Sequence, residues 1–531
     1  MKTFLMLLVP ASMMFGQTYQ DLLAKIQYEA GKNQAYHQTN VLSTVYGARL
    51  TGTNSLEASG KYVEATLGKY GLKTQRHEWK FGRQWQNFHV SARLIEPNPE
   101  QLLAVATPWT GSTNGRISAP VVLGVPHGES DPTKREEVFK KFMEGFREGE
   151  LKGKIILDSP LRPTASPAAT TALTLSEDDI KSLQGSGPPC PVQTYQKPIP
   201  AVPTDPKLLE CFWRQAPQWA ADTIAAENKR TRAMIYAFYK RKGAIAVINS
   251  DRGEGGTMFP FSGDLLQPGE EVWLPMVTLP KEHFNRLVRL IQLGKTPTVE
   301  MEVRSEISDE AVSSFNITAD ILGSTKPEEI VILGCHLDSA PFSNGATDNA
   351  VGCGVLLDAA RVITTLEIKP QRTIRFAFFT GEEQGRLGSK AYVLEHFGNP
   401  ETGVMKPGHE KLAAAFIQDS GAGKIRGLIV PDNDPAKATL TKWFNTLRPF
   451  QAHNIVSRST LTGNSDHSSF RAAGIPAFQF LQDPLNYQQR TWHSSYDSMD
   501  YVPEADVRQA TTVATWIALQ AANAEEKLPR P

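Results

Sequence analysis

The stretch Ile330-Val-Ile-Leu-Gly-Cys-His-Leu-Asp338 decides the fold. Residues 330–335 form a continuous apolar run of the length of a buried strand, and residues 350–366 then carry apolar side chains at helical spacing. A second buried strand is predicted over 373–380, and strand and helix patterns alternate as far as residue 522. This alternation predicts an α/β domain with a doubly wound, mostly parallel sheet.

Composition limits the classes of partner. The chain has 531 residues, which corresponds to about three or four domain-sized units. Hydrophobic residues make up 40% and charged residues 21%, a mix that supports a packed core. Lys+Arg and Asp+Glu both total 56, so the formal net charge is zero. Because no global basic field attracts the chain to nucleic acid or to an anionic membrane, we expect neither as a partner.

The sequence divides into four predicted segments. Residues 1–17 combine Lys2 with an apolar run of signal-peptide length, which predicts export and a secreted or periplasmic location. Residues 18–112 and 306–531 are predicted to form the main domain, with residues 113–305 as an inserted unit. No later stretch reaches about 18 consecutive apolar residues, so we expect no transmembrane span. The sequence leaves the oligomeric state open.

Side chains suited to metal binding cluster at or near the predicted strand ends, where α/β sheets bind their ligands. They are His336, Asp338, Asp348, Glu382, Glu383, Asp419 and His493. Imidazole and carboxylate groups are ligands that zinc accepts, and a carboxylate is able to bridge two metal ions. His336, Asp419, Glu383 and His493 can each take a terminal position with Asp348 as the bridge.

Glu382 is then left without a metal. Adjacent residues after a strand point in different directions, so one glutamate can bind metal while the other faces the attacking water. A positioned base contributes about 10²- to 10⁴-fold to the rate of such a reaction, and a metal ion also polarises a carbonyl group. The set therefore predicts hydrolysis of an amide, with Glu382 as the general base.

Successive motifs resemble those of the co-catalytic zinc exopeptidases, a family that includes secreted bacterial aminopeptidases and plasma glutamate carboxypeptidases. The motifs appear in family order over residues 316–522. They are Gly334-Cys-His-Leu-Asp338, Gly345-Ala-Thr-Asp-Asn-Ala-Val-Gly352, Arg375-Phe-Ala-Phe-Phe-Thr-Gly-Glu-Glu-Gln-Gly385, Gln418-Asp419, Ser465-Asp-His467 and Trp492-His-Ser-Ser-Tyr-Asp497. The resemblance implies the zinc exopeptidase fold, two Zn²⁺ ions and peptide substrates.

The resemblance also implies a role for each site residue. Asp348 would bridge the two zinc ions, His336 and Asp419 would complete one, and Glu383 and His493 would complete the other. Glu382 would activate water, and the carboxylate of Asp338 would accept a hydrogen bond from the first ligand histidine. His467 matches a donor near the substrate carbonyl. In relatives the peptide bond after the bridging aspartate is often cis, here Asp348–Asn349.

The inserted unit resembles a β-rich protease-associated domain. The landmarks are Gly153-Lys-Ile-Ile-Leu157, Lys242-Gly-Ala-Ile-Ala-Val-Ile248 and Leu274-Pro-Met-Val-Thr278. A Pro/Ser/Thr-rich excursion over 160–206 is predicted to be a long loop. The unit either shapes access to the site or only adds stability. Cys190 and Cys211 either form a disulfide across this loop or remain idle thiols.

Several activities remain open. A glutaminyl cyclase of the same fold typically lacks the full ligand set, and a receptor-like relative has lost ligands, whereas this chain keeps all of them. The favoured function is an aminopeptidase, and the alternative is a carboxypeptidase or dipeptidase of the glutamate carboxypeptidase type. A carboxypeptidase needs a cation for the terminal carboxylate, and the candidates are Arg386, Arg471 and Arg490.

Overall fold

A computed structural model describes the chain from residue 11 to residue 531. The residues it leaves undescribed within that range are 125–131, 148, 160, 162–172, 185–201, 204, 206–207, 210, 213–217, 254, 432–433 and 459–463. The predicted signal peptide lies mostly outside the described residues, and residues 11–30 form one helix.

Among the described residues, fourteen strands form one sheet and two more form a small hairpin. The strands are β1 (Thr74–Glu96), β2 (Glu100–Leu102), β3 (Val105–Ala106), β4 (Ile117–Leu123), β5 (Ile155–Leu157), β6 (Ala246–Ser250), β7 (Met276–Leu279), β8 (Thr298–Ile321), β9 (Lys326–His336), β10 (Arg372–Phe379), β11 (Gly398–Asn399), β12 (Val404–Met405), β13 (Leu412–Ile417), β14 (Ile425–Ile429), β15 (Asn454–Val456) and β16 (Ala477–Gln482).

Helices cover both halves of the sheet. The α-helices are α1 (Ala11–Ala30), α2 (Gln34–Asn40), α3 (Asn54–Lys69), α4 (Pro132–Glu144), α5 (Glu177–Gln184), α6 (Gln218–Arg241), α7 (Lys281–Gln292), α8 (Val351–Thr365), α9 (Leu387–His396), α10 (Pro407–Lys411), α11 (Lys437–Asn445), α12 (His467–Ala472) and α13 (Glu504–Asn523). None of the helices in the described part of the chain is both long and apolar enough to cross a membrane.

The C-terminal half of the sheet has the strand order β15-β14-β16-β13-β9-β10-β8. β9 pairs in parallel with β10 and β13, and β13 pairs in parallel with β16. β10 and β13 are almost wholly buried because helices cover both faces, which explains their continuous apolar runs. The predicted doubly wound, mostly parallel sheet is therefore confirmed, and the carboxyl ends of its parallel strands meet at one edge.

Two long strands join the halves. β1 and β8 pair antiparallel over almost their full lengths, from Thr74 opposite Ala319 to Glu96 opposite Thr298. β8 continues the sheet into β4-β5-β6-β7-β3, in which the pairs from β4 to β7 are parallel. The predicted boundary between residues 305 and 306 falls inside β8. Residues 113–305 carry helices as well as strands, and their assignment as an inserted β-rich domain stays a prediction.

Local expectations differ from the structure in a few places. The predicted short strands over 73–96 are one continuous strand, because β8 supplies a partner along its whole length. Helix α5 lies within the predicted loop 160–206, most of which is outside the described residues. Cys211 is disulfide-bonded, Cys190 lies outside the described residues, and Cys335 and Cys353 are buried free thiols.

Candidate metal centre

The predicted ligands lie at the carboxyl edge of the parallel strands. His336 is the last residue of β9, the pair Glu382 and Glu383 follows β10, and Asp419 follows β13. His493 lies in the connection after β16, where its backbone has a positive φ of 52°. The topology thus brings together residues that are far apart in sequence.

The ligand atoms form two groups that share Asp348. In the first, His336 Nε2 lies 3.1 Å from Asp348 Oδ1 and 3.3 Å from Asp419 Oδ1. In the second, His493 Nε2 lies 3.4 Å from Asp348 Oδ2 and 2.8 Å from Glu383 Oε2. The two carboxylate oxygens of Asp348 therefore face different imidazole rings.

A short irregular segment, Ala346–Ala350, carries Asp348 into the centre. The Asp348–Asn349 peptide bond is cis, as the resemblance implies. The backbone N–H groups of Thr347 and Asp348 donate to the two carboxylate oxygens of Asp497, at 2.6 and 3.0 Å. Asp497 is buried, and its two hydrogen bonds hold the segment that carries Asp348.

Arg49 fixes the approach to the same segment. Its buried guanidinium donates to the backbone carbonyls of Leu337, Asn344 and Gly345 at 2.8 to 2.9 Å. It donates further bonds to the carbonyls of Leu42 and Gly47. Arg49 thereby connects the N-terminal helical region to the loop between β9 and α8.

The donor set fits zinc. Asp348 Oδ2 and Glu383 Oε1 are buried and accept no hydrogen bond. Buried anionic oxygens without donors are unfavourable, and a divalent cation compensates them. Two imidazole nitrogens together with carboxylate oxygens are a ligand set that zinc accepts.

The carboxylates also determine the protonation of the histidines. Burial disfavours the charged form of His336, but the neighbouring carboxylates, Asp419 foremost, outweigh it and raise its pKa well above the usual value. For His493, burial is likewise outweighed by Glu383 and Asp348, which raise its pKa to about 9. Both shifts show that the centre favours positive charge.

Asp338 differs from its expected role. The backbone carbonyl of Asp338 lies 3.0 Å from His336 Nδ1, whereas its carboxylate oxygen lies 3.6 Å away, beyond hydrogen-bond distance. The carboxylate instead accepts bonds from the backbone N–H groups of Glu382 and Glu383, at 3.4 and 3.3 Å, and from the hydroxyl of Thr51 at 3.0 Å. Asp338 therefore orients both the first histidine and the glutamate pair.

Glu382 and His467 flank the ligands. Burial, followed by the charge of Asp419 among other carboxylates, raises the pKa of Glu382 despite the opposing effect of His336. Burial and the positive charges of Arg471 and Arg386 lower the pKa of His467 to about 3, so its imidazole is neutral at physiological pH. His467 Nδ1 is buried and has no hydrogen-bond partner.

The three candidate arginines are in different situations. Arg471 Nη1 donates to Asp434 Oδ2 at 2.8 Å. The guanidinium of Arg490 lies 5.7 Å from the ring centre of Tyr501, and Arg386 is buried at the start of α9. Because Arg471 is already ion-paired, it is less available for a substrate carboxylate than the sequence suggested.

A loop of the 113–305 segment docks beside His493. The N–H of Ser495 donates to the carbonyl of Met258 at 2.8 Å, and the N–H of Met258 donates to Ser495 Oγ at 3.2 Å. Trp492 stacks on His493 with ring centres 4.1 Å apart, and Arg252 lies 5.9 Å from the Trp492 ring. This segment therefore forms part of the surroundings of the metal centre.

Sequence reasoning gave no role to Arg49, Thr51 or Asp497. Asp497 is the last residue of the motif Trp492-His-Ser-Ser-Tyr-Asp497, so its closeness to His493 in the sequence could have indicated a role in the site. Arg49 and Thr51 lie almost 300 residues before their partners, and no spacing pattern points to them.

The fold and the ligand arrangement define the class. Residues 316–517 match the model of Peptidase family M28. The matched segment contains all five predicted ligands, and the comparisons support a metallo-exopeptidase of the co-catalytic zinc type, as the sequence predicted.

Particular relatives of this family have different activities. The chain is 22% identical to Carboxypeptidase Q of Mus musculus over 504 residues, which cover 95% of this chain and 88% of that protein. It is 29% identical to Aminopeptidase YwaD of Bacillus subtilis (strain 168) over 293 residues, 54% of this chain and 59% of that protein.

Solved structures support the fold. A peptidase M28 precursor from Shewanella amazonensis SB2B superposes with a TM-score of 0.66 at 21% identity, covering 97% of this chain and 99% of that one. The zinc aminopeptidase BSAP from Bacillus subtilis superposes with a TM-score of 0.54 at 19% identity, covering 93% of this chain and 95% of that one. At these identities the likeness establishes the fold alone.

Proposed function

We propose that the chain is an aminopeptidase that uses two zinc ions to hydrolyse the first peptide bond of its substrates. The observation that carries the proposal is the position of Asp348, whose two oxygens face His336 and His493 respectively. A carboxylate in that position is suited to bridge two metal ions. In this proposal Asp419 completes one ligand set and Glu383 completes the other.

The zinc ions, when bound, would polarise the scissile carbonyl and lower the pKa of water to about 7. The protein supplies the proton transfers. The carboxylate of Glu382 accepts a proton from the attacking water and donates it to the nitrogen of the leaving amine. The support for this role is that Glu382 belongs to neither ligand group although it adjoins Glu383.

His467 is proposed to stabilise the oxyanion. Because its imidazole is neutral, one ring nitrogen carries a hydrogen that can be donated to the carbonyl oxygen as negative charge develops there. Asp338 keeps His336 and the glutamate backbone in position and does not touch the substrate.

The preference for the amino terminus rests on the charges around the ligands. Arg471, one of the three candidate partners for a substrate carboxylate, is already paired with Asp434. An aminopeptidase binds the substrate ammonium group through carboxylates or carbonyls, so it needs no arginine beside the metal ligands. The second candidate is a carboxypeptidase, which is favoured by Arg386 beside His467 and by the likeness to Carboxypeptidase Q over most of the chain.

End-blocked peptides separate these activities. One tripeptide is supplied free, N-acetylated or C-amidated to zinc-loaded protein, and the products are identified by mass spectrometry. An aminopeptidase cleaves the amide and not the acetylated peptide, and a carboxypeptidase does the reverse. If all three peptides survive while an N-terminal glutamine peptide loses ammonia, the chain is a cyclase and the hydrolase proposal is wrong.

Export is proposed from the N-terminal residues. The full-length chain is expressed in a bacterial host, and the N-terminus of the protein in the periplasm or medium is read by mass spectrometry. Removal of about the first 17 residues supports a signal peptide. An intact N-terminus on protein retained in the cytoplasm contradicts it.

A further inference from the structure

A second group of ligand-type side chains shares no residue with the catalytic centre. His77 projects from β1, and Glu395 and His396 lie in the last turn of α9. One ligand atom from each of the three lies within 4.8 Å of the others. We propose that this group, the His77 cluster (His77, Glu395 and His396), binds an additional zinc ion.

The distances suit a tetrahedral ion. His396 Nε2 lies 3.2 Å from His77 Nδ1 and 3.7 Å from Glu395 Oε2. Ligand atoms bound at about 2.0 to 2.1 Å to a tetrahedral zinc ion lie about 3.3 Å from one another. The two imidazole nitrogens are therefore already at the required separation, and the mobile carboxylate has little distance to move.

The second nitrogen of His77 fixes the ring. His77 Nε2 lies 3.0 Å from Thr318 Oγ1, and when Nε2 donates this bond the lone pair of Nδ1 points at His396. Metal-binding histidines almost always donate their other N–H in this way.

The charges around the His77 cluster permit a cation. The guanidinium of Arg375, whose charge acts on both rings, is paired through two bonds with Asp320, at 2.7 and 2.8 Å, and also donates to Tyr392. The ammonium of Lys406 donates to the backbone carbonyl of Glu395 at 2.7 Å. Glu395 contributes a carboxylate to the cluster, and the C-terminal end of a helix favours positive charge.

An ion can reach this position. The side chain of His77 is buried, whereas that of His396 is 27% exposed and that of Glu395 is 55% exposed. The exposed side gives the ion an entry path and leaves room for a water molecule as the fourth ligand. A bound ion would cross-link β1 to the end of α9, the helix that follows the Glu382–Glu383 segment. The ion would thus have a structural role.

Metal stoichiometry tests the proposal. The full chain is stripped with chelator, reloaded with zinc and freed of excess metal, and its zinc content per chain is measured by elemental mass spectrometry. The same measurement is made on His396→Ala, on Glu395→Gln and on the control His37→Ala, in which the histidine is exposed. We expect His396→Ala to hold one zinc ion fewer than wild type, and His37→Ala to match wild type. Zinc should also raise the melting temperature of wild type more than that of His396→Ala.

Thr318→Val tests the geometry more finely. Loss of the orienting hydroxyl should weaken zinc binding at this cluster about 10- to 100-fold, with the catalytic ions retained.

Glu395→Gln replaces an exposed side chain and should fold normally, so its reduced zinc affinity does not depend on the buried residues. Equal zinc content and equal zinc-dependent stabilisation in wild type, His396→Ala and Glu395→Gln would overturn the proposal and leave a simple imidazole–imidazole hydrogen bond. Peptide hydrolysis is measured separately, so failure of this proposal is distinguishable from failure of the proposed function.

Discussion

Arg49→Met is the most informative single change outside the ligand set. Methionine keeps much of the side-chain volume but donates none of the bonds that the guanidinium makes to five backbone carbonyls. Three of those carbonyls belong to Leu337, Asn344 and Gly345, in the loop that leads to Asp348. The substitution therefore separates the support of the metal centre from the ligands themselves.

The expected loss of stability follows from these bonds. Leaving a buried acceptor without its donor costs about 1 to 3 kcal/mol, so the three loop carbonyls alone give about 3 to 9 kcal/mol. Removal of a buried charge offsets part of this cost, because burial of the guanidinium lowers the pKa of Arg49 and is itself unfavourable. We expect the free energy of unfolding of the metal-free chain to fall by about 3 to 5 kcal/mol.

Urea unfolding followed by circular dichroism measures this change, and zinc titration measures its effect on the centre. We expect zinc affinity to fall about 10- to 100-fold, as when an orienting partner of a ligand is lost. Arg83→Met is the matched control, since Arg83 is also buried and donates to the carbonyls of Ser308 and Glu270, which belong neither to the ligand set nor to the loop that leads to Asp348. It should lose stability and keep its zinc. An Arg49→Met chain with unchanged zinc affinity would refute the reasoning.

Other variants test the glutamate pair and the backbone. Glu382→Gln should keep both zinc ions and lose about 10²- to 10⁴-fold in kcat, whereas Glu383→Gln should lose one ion by elemental analysis, and the reverse pattern would mean that the two roles are exchanged. Gly427→Ala should destabilise the chain by about 3 kcal/mol or more in thermal unfolding, because its Cβ would lie 1.8 Å from the carbonyl oxygen of Asn454. Gly68→Ala, in a helix with open space around the new methyl group, should instead stabilise by about 0.5 to 1 kcal/mol, and a loss there would show that the open space was misjudged.

The sequence determined the strands and helices of the C-terminal half. β10 and β13 are buried on both faces, so their apolar runs are visible without knowledge of their neighbours. The order of strands and helices then places His336, Glu383 and Asp419 after successive strands. For that reason the ligand-type side chains that the structure brings together could be named before any distance was known.

Strands and helices whose burial depends on partners far away in the sequence were harder to predict from the sequence. β8 has a polar middle at residues 304–313 that is exposed or half-buried, and it is a single strand because β1 pairs with it on both sides of residues 308–310. Helices α4, α6 and α7 lie in a region where the sequence predicted mainly strands and loops. Their stability comes from tertiary packing more than from local propensity.

The sequence by itself determined the class of the protein, the type of sheet and the residues offered to metal ions, because these depend on local periodicity and on the order of strands. Only the tertiary structure decided which groups orient those residues. In the structure the backbone carbonyl of Asp338, and not its carboxylate, lies within hydrogen-bond distance of His336. Arg49 reaches the loop before Asp348, and His77 lies beside His396, which is 319 positions away in the sequence. Hydrogen bonds and ligand distances depend on ångström-scale positions set by packing, and no local pattern in the chain records them.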